Sequence, residues 1–372
     1  MATVTKTIKP TGEGGDYTSP AAWVDDLDES SEGYSSGDIA IGLVSGDHEI
    51  ESQLIMNTGG TIGLAQARLS VAEADRHDGT AGTGARFTFD MTTCKCFTMS
   101  HATGEDDVQK VCEWIEFDFE NTVRSGDEYI YLTNGSSDGQ DGNALLDFSH
   151  NLLHSMDSGS NLLRLIWAYT YMNAVHNNII YDCVSTNSSW NRGIAMYHQF
   201  AFCANNTVYN FRTTGSGANA SAIWSRSSVY DYLFNNISVG TTGTNANDFV
   251  ISPAYGTPVT SNNLSSDTSA PGSNSVDSES ASDLFVSTQG GSEDLHLKAG
   301  AAAIGAGVDL GTSYTSPIHG GVTVASSTFG SAINYDIDNY DREDAADWDI
   351  GADQFVAAVK NAKSFLLFLL DN

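Results

Sequence analysis

Four carboxylates within eight residues are the first candidates for acid–base chemistry in this 372-residue chain. Glu113, Glu116, Asp118 and Glu120 alternate with bulky apolar residues. A glycan hydrolase needs two facing carboxylates about 5 to 9 Å apart. A lyase needs a basic proton acceptor, and no basic residue stands out. Because any half-buried strand shows the same alternation, the sequence predicts no catalytic residue, with Glu116 and Asp118 as the alternative pair.

Aromatic and arginine side chains form the best candidate ligand surface. Trp167, Tyr169 and Tyr171 alternate along the chain and would share one side of a strand. Flat rings with a few hydrogen-bonding partners suit sugar rings, although such rings could also fill a core or a subunit interface. The candidate glycan-binding residues are Arg164, Trp167, Tyr169, Tyr171, Trp190, Arg192, Tyr197, His198, Trp224 and Arg226.

No cofactor or metal site is predicted. Cys94 and Cys96 lack the second pair that a zinc site needs. The Asp-rich segment 336–353 lacks the spacing and the glycine of an EF-hand loop, and turn-forming acids explain it more simply. Five cysteines, an odd number without disulfide-framework spacing, favour folding in a reducing cytoplasm.

An asparagine followed by apolar residues or threonine recurs six times, at steps of 30, 27, 28, 30 and 27 residues. Near-constant steps of this length indicate a solenoid, and the neighbouring β-branched and aromatic residues favour β coils over helices. An asparagine at one corner of each coil tolerates the left-handed conformation and can hydrogen-bond to the next coil. The predicted ladder comprises Asn121, Asn151, Asn178, Asn206, Asn236 and Asn263.

Both ends complete the predicted organisation. Residues 3–8 alternate like a strand, and Ser19-Pro20 begins a short amphipathic helix that would cover the open end of the solenoid. We expect three divisions: 1–36 for the strand and capping helix, 37–355 for the solenoid, and 356–372 for a short apolar helix or tail. The tail is too short to span a bilayer; it either caps the last coil or contacts a partner subunit. Its predicted interface residues are Phe365, Leu366, Leu367, Phe368, Leu369 and Leu370.

The entry and the closing motifs resemble those of pectin-lyase-like right-handed parallel β-helices. The entry runs from Gly12 to Pro20 and continues at Gly37-Asp38-Ile39-Ala40-Ile41. The resemblance implies an all-β, single-stranded, right-handed parallel β-helix that finishes in closing coils. It implies little about activity, because phage spikes, fibres and head decorations share this scaffold with polysaccharide-degrading enzymes. The closing motifs are Leu284-Phe285-Val286, 295–300, 303–307, Asp336-Ile337-Asp338 and 348–353.

Charge narrows the classes of partner. A formal net charge of −31, with only 16 Lys and Arg, provides no basic surface for nucleic acid and would repel anionic lipids. Residues 1–7 show no secretory signal.

Together with the resemblance, these observations favour a non-enzymatic structural protein of a virus particle, made in the host cytoplasm. A tailed-bacteriophage spike, fibre or capsid decoration is expected, one that could bind host-surface glycans. Its expected partners are further copies of the chain, with a trimer favoured by analogy, and other virion proteins. The alternative is a polysaccharide lyase or hydrolase, a depolymerase, on the same scaffold.

Overall fold

The computed structural model describes residues 1–27, 33–59, 62–89, 96–101, 108–119, 128–133, 145–159, 162–169, 173–197, 201–226, 231–252, 257–311 and 333–357. Regular structure in these ranges is almost entirely β-strand. The helices there are α1 (Pro20–Asp25), α2 (Ala281–Leu284) and two 3-10 turns, Glu73–Asp75 and Arg342–Asp344. None of these helices is long and apolar enough to cross a membrane.

Three long parallel sheets form a stack that is compatible with a parallel β-helix. Successive strands visit the first, second and third sheet in turn, so one coil contributes one strand to each sheet. The first sheet comprises β1 (Thr3–Ile8), β2 (Ile39–Val44), β5 (Gln66–Val71), β8 (Gln109–Glu113), β11 (Leu146–Ser149), β14 (Asn173–His176), β17 (Ala201–Ala204), β20 (Tyr232–Phe234) and β23 (Val259–Ser261). The second comprises β3 (Asp47–Ile50), β6 (Arg86–Phe89), β9 (Glu116–Asp118), β12 (Leu152–His154), β15 (Ile179–Ser185), β18 (Thr207–Thr213), β21 (Ile237–Val239) and β24 (Leu264–Ser265). The third comprises β4 (Leu54–Met56), β7 (Phe97–Ser100), β10 (Glu128–Thr133), β13 (Arg164–Ala168), β16 (Trp190–Met196), β19 (Asn219–Ser225) and β22 (Asn245–Ile251).

The interior of the stack is apolar. Phe89 and Phe119 stack with ring centroids 5.2 Å apart, and Phe117 lies 5.4 Å from Phe148. All four rings are fully buried. Because alternate residues of a strand point to opposite faces, the other residues of each strand form outer faces that are free to carry different chemistry.

Helix α1 lies at the beginning of the stack. The Ser19 hydroxyl accepts a hydrogen bond from the Ala22 N–H at 3.2 Å, and Pro20 occupies the first helical position, where its missing N–H costs nothing. Trp23 is completely buried. A side chain at Gly42 of β2 would come within 2.8 Å of this indole, so the close packing of α1 on the first sheet requires glycine there.

The corner between the first and second sheets is a repeating two-residue turn. Its first residue has positive φ, between 53° and 55° in five successive coils. Its second residue is a buried asparagine whose amide hydrogen-bonds to the next asparagine of the series. The first residues are His150, Asn177, Asn205, Asn235 and Asn262, and the second are Asn151, Asn178, Asn206, Asn236 and Asn263.

Asn121, the remaining member of the predicted ladder, lies outside the described residues. The preceding coil instead places Ile115 opposite Asn151, because β9 pairs with β12 with Glu116 opposite Leu152. The Ile115 N–H donates to Asn151 Oδ1 at 3.1 Å. The coil step at this point is therefore 36 residues rather than 30.

The closing segment, residues 281–311 and 333–357, does not add the coils that the resemblance implied. Strands β25 (Phe285–Gln289) and β26 (Ser292–Leu297) form an antiparallel hairpin. Leu284, Leu297 and Ile350 pack on Ile179 and Ile237, on the outer face of the second sheet. Burying apolar surface stabilises a protein by about 25 cal/mol per Å². The apolar residues of the closing segment gain this stabilisation on the outer face of the second sheet rather than at the open end of the stack.

The closing segment runs back along the corner, opposite to the direction in which the coils advance. Its backbone carbonyls contact the left-handed corner residues of successively earlier coils, and the Asn339 side chain then contacts Arg76. The hydrogen bonds are Asn262 with Ala306 (2.8 Å), Asn235 with Val308 (2.8 Å), Asn205 with Ile333 (3.3 Å), His150 with Tyr335 (2.9 Å) and Arg76 with Asn339 (2.6 Å).

Candidate functional site

The outer face of the third sheet carries a continuous set of rings and guanidinium groups, here called the aromatic–arginine face. Cα pairing places Tyr131, Trp167, Ala195 and Trp224 at one position of four successive coils. The parallel register therefore builds a column from residues that are far apart in the sequence. The face comprises Tyr131, Arg164, Trp167, Tyr169, Trp190, Arg192, Tyr197, Trp224 and Arg226.

The rings of this face are in mutual contact. Tyr197 lies with its centroid 4.9 Å from Trp167, 5.3 Å from Tyr169 and 6.1 Å from Trp224. Ala195 occupies the column between the two indoles and is too small to separate them, so the Tyr197 ring reaches both. Such offset and tilted ring pairs contribute about 0.5–1.5 kcal/mol each beyond area burial, which stabilises the packing of the face.

Three arginines lie over these rings. The guanidinium carbon of Arg164 is 4.0 Å from the Trp167 centroid, and that of Arg192 is 3.6 Å from the Trp224 centroid. Arg226 lies 4.2 Å from the Tyr197 centroid. Cation–π contacts of this kind hold a guanidinium flat and leave its edge as a hydrogen-bond donor.

Arg192 lies at the centre of the face, where its surroundings disfavour the protonated guanidinium. Burial, and then the charge of Arg164, lower the pKa of Arg192 to about 10. Its buried Nε has no hydrogen-bond partner among the described residues. An unmet buried donor of this kind costs about 1–3 kcal/mol.

Trp190 is the accessible ring of the set, with 51% of its surface exposed. It lies at the start of β16, with its centroid 5.9 Å from the Arg192 guanidinium. Tyr171 and His198 lie outside the described residues; the other predicted glycan-binding residues come together on this face. The sequence pattern missed Tyr131 because 36 residues separate it from Trp167, its partner in the next coil.

The alternative catalytic pair, Glu116 and Asp118, lies on the outer face of the second sheet together with His154. One donor atom of each residue lies within 4.8 Å of the others, and all three residues are buried. His154 Nε2 is 3.0 Å from Glu116 Oε1, and Arg86 Nη1 is 3.7 Å from Asp118 Oδ2. Sequence reasoning missed His154, which only the register between β9 and β12 places opposite Asp118.

The other two carboxylates of that segment do not join this cluster. Glu113 lies on the first sheet and accepts hydrogen bonds from Arg68 Nε at 2.8 Å and from the Ser70 hydroxyl at 2.6 Å. It borders a cleft of about 430 Å³ that Arg76 and Trp114 also line. Glu120 lies outside the described residues.

A second group of potential metal ligands lies in the closing segment and consists of His296, Asp338 and Asp353. Burial lowers the pKa of His296, but the hydrogen bond to Asp338 and the charge of Asp353 outweigh it and raise that pKa to about 10. The imidazole is therefore protonated at neutral pH. In this state the imidazolium itself balances the carboxylates.

The predicted interface residues 365–370 lie outside the described residues. The described chain thus offers two arrangements with the chemistry to act on a ligand: the aromatic–arginine face, and the buried cluster around His154. No family model, curated protein or solved structure that was compared with this chain matches it.

Proposed function

We propose that this chain is a structural protein of a virus particle that binds surface glycans through the aromatic–arginine face without cleaving them. The observation that carries the binding proposal is the contact network of that face, in which six rings and three guanidinium groups share one side of a parallel sheet. The virion assignment is supported by the resemblance of the entry motif to phage β-helices.

The fold details belong to the same proposal. We take the stack to be a right-handed, pectin-lyase-like β-helix, since parallel strand connections within a sheet are right-handed in about 98% of cases. Helix α1, with Trp23 buried against Gly42, serves as the cap of its first coil. Such a cap protects the edge strand β1 from pairing with another chain.

The face suits a sugar for two reasons. A pyranose presents apolar C–H groups that stack on an exposed ring such as Trp190, and it presents hydroxyl oxygens that accept from guanidinium N–H groups. The Arg192 guanidinium group lies beside Trp190. The rings that support these two residues are already packed, so little conformational entropy is lost on binding.

The test is binding of the full-length chain to an array of bacterial surface polysaccharides, followed by titration of the best-binding one. We expect Trp190→Ala to weaken binding about tenfold, the equivalent of about 1.4 kcal/mol for one lost aromatic contact. The matched control is Val286→Ala, which removes an exposed apolar side chain from the hairpin β25–β26. Absence of binding to every polysaccharide, or equal affinity of the two variants, would contradict the proposal.

The second candidate function is a depolymerase that uses Glu116 and Asp118. The observation in its favour is their burial together beside His154. Both carboxylates are already engaged, however: Glu116 accepts from Gly82 N–H and bonds His154, and Asp118 faces Arg86. Their separation of under 4.8 Å leaves no room for the water that an inverting glycosidase places between its carboxylates.

We therefore expect no release of reducing or unsaturated ends from host polysaccharide. With polysaccharide as the substrate, Glu116→Ala and Asp118→Ala should change stability or solubility only. End-group release that either substitution abolishes would establish the depolymerase instead.

A homotrimer completes the proposal. Burial of the apolar run 365–370 against a second copy or another virion protein would contribute several kcal/mol, at about 25 cal/mol per Å² of apolar surface. Deleting residues 356–372 should convert the oligomer to monomers in light scattering, or prevent particle attachment, with an unchanged β-rich circular dichroism spectrum. A monomeric, soluble full-length chain would remove this part of the proposal.

A further inference from the structure

A small pocket opens on the outer face of the second sheet, between that sheet, the loop around Thr80 and the hairpin β25–β26. Its volume is about 290 Å³. His154 and Ser155 form one side of it, and Glu293 lies on the hairpin side. The pocket is therefore a built cavity whose walls come from three parts of the chain that are distant in sequence.

The imidazole of His154 connects a buried carboxylate to a hydroxyl in this pocket. Nε2 lies 3.0 Å from Glu116 Oε1, and Nδ1 lies 3.0 Å from Ser155 Oγ. The ring stacks on Tyr181 with centroids 5.3 Å apart and planes 13° from parallel. Both ring nitrogens are thus aligned with a partner while the ring itself is held flat.

Glu116 determines the role of each nitrogen. It is fully buried, and its other oxygen accepts the Gly82 N–H at 2.7 Å. An ionised carboxylate can only accept hydrogen bonds, so it places the imidazole proton on Nε2. Nδ1 then carries the lone pair and accepts from the Ser155 hydroxyl. This is a nucleophile, a base and an orienting carboxylate in hydrogen-bond contact.

The backbone directs Ser155 into the pocket. Its φ of 61° is left-handed, as are the φ values of Asp182 and Asn210, which occupy the matching positions within β15 and β18 of the next two coils. This conformation belongs to the coil geometry and turns the chain immediately after β12. Ser155 is half-buried and lines the cavity.

Glu293 forms part of the opposite wall. Burial, and then a hydrogen bond shared with Asp182, raise the pKa of Glu293 above its usual value. Gly291 N–H donates to Glu293 Oε1 at 3.1 Å, which holds this carboxyl group on the wall. The cavity therefore has the Ser155 hydroxyl on one side and a carboxyl group on the other.

We infer that Ser155, His154 and Glu116 form an acyl-transfer site that hydrolyses small carboxylic esters, an activity beyond the glycan binding proposed above and independent of it. Ser155 Oγ bonds to the acyl carbon while its proton passes to His154 Nδ1. The ester C–O bond breaks, and the alcohol leaves with that proton. Water then attacks the acyl-serine and gives a proton to Nδ1, which returns it to Ser155 Oγ as the carboxylic acid is released. A cavity of about 290 Å³ admits a short acyl group rather than a lipid chain.

The first test uses the full-length chain with p-nitrophenyl acetate and with a fluorophosphonate probe, followed by peptide mass spectrometry. We expect ester hydrolysis above the buffer rate and one phosphonylated residue, Ser155. Ser155→Ala should abolish labelling and lower the hydrolysis rate at least about 100-fold, within the range for loss of acid–base machinery. The control Ser188→Ala removes an exposed hydroxyl near β16 and should leave both readouts unchanged.

The second test separates the positioning role of Glu116 from a structural one. Glu116→Gln should lower kcat at least about tenfold with little change in KM, and Glu116→Asp should recover part of the loss. If Glu116→Gln fails to fold, Ser155→Ala remains decisive because Ser155 is only half-buried. An inert native chain, labelling at another residue, or full activity in Ser155→Ala would each overturn the inference.

Discussion

Asn206 Oδ1 accepts two hydrogen bonds from Asn178, one from its backbone N–H at 3.1 Å and one from Nδ2 at 3.0 Å. Asn178 Oδ1 receives the same two bonds from Asn151. Each amide therefore satisfies the backbone and the side chain of the previous coil at a site with no access to water. This arrangement joins successive coils where the chain turns between sheets, and it explains why a polar residue is tolerated there.

Asn206→Ala should destabilise the chain by about 2–4 kcal/mol, because it leaves the buried Asn178 N–H without an acceptor and removes the amide that donates to Val175 O and Asn236 Oδ1, at about 1–3 kcal/mol for each unmet group. The measurement is urea-induced unfolding followed by circular dichroism. Asn245→Ala, at an exposed position of β22, is the matched control and should cost under about 0.5 kcal/mol. Equal costs for the two variants would show that the ladder contributes nothing specific.

Arg342→Met should destabilise the closing segment by about 3–5 kcal/mol, the usual cost of removing one partner of a buried ionic network. Arg342 is fully buried and donates to the Gly351 carbonyl at 2.8 Å and to Gln354 Oε1 at 3.2 Å. Limited proteolysis should show faster cleavage within 333–357. The exposed Arg212→Met is the control, and equal cleavage rates in both variants would rule out this role.

Stability of the closing segment should fall as pH rises from about 4 to 10. Burial is the main cause that raises the pKa of Asp336 from 3.8 to about 7. Between these two pH values the folded state binds more protons than the unfolded state, so the free energy of unfolding decreases as pH rises. The pKa of His296 rises from 6.5 to about 10, which extends the decrease to alkaline pH.

Urea unfolding at pH 5, 7 and 9 measures this dependence. His296→Gln should flatten the change between pH 7 and 9 and leave the change between pH 5 and 7 in place. A native chain that becomes more stable between pH 7 and 9 would contradict the assigned sign.

The native thiols should be unreactive. Cys96, Cys112, Cys183 and Cys203 are buried, and burial raises the pKa of Cys112, Cys183 and Cys203 above the usual value. Since the thiolate is the reactive form, a Cys94→Ser variant should show no reaction with Ellman's reagent within minutes and four reactive thiols in denaturant. Rapid reaction without denaturant would mean that the core opens locally.

The sequence alone predicted the local features of this protein. Near-equal asparagine steps predicted a β solenoid, and the three long parallel sheets agree with that class of fold. Alternation at Trp167 and Tyr169 placed both rings on one side of a strand, where the structure has them. These features are readable because strand alternation and turn chemistry depend on neighbouring residues only.

The register and the path of the closing segment were decided by tertiary structure. Counting regular steps along the sequence aligned Asn151 with Asn121. Loops between strands vary in length, however, and the pairing of β9 with β12 aligns Asn151 with Ile115. The same pairing brings His154 to Glu116. The closing segment contains strand-like motifs that could equally have formed coils. It lies instead on the outer face of the second sheet, because the apolar surface that this face exposes exists only once the coils have stacked.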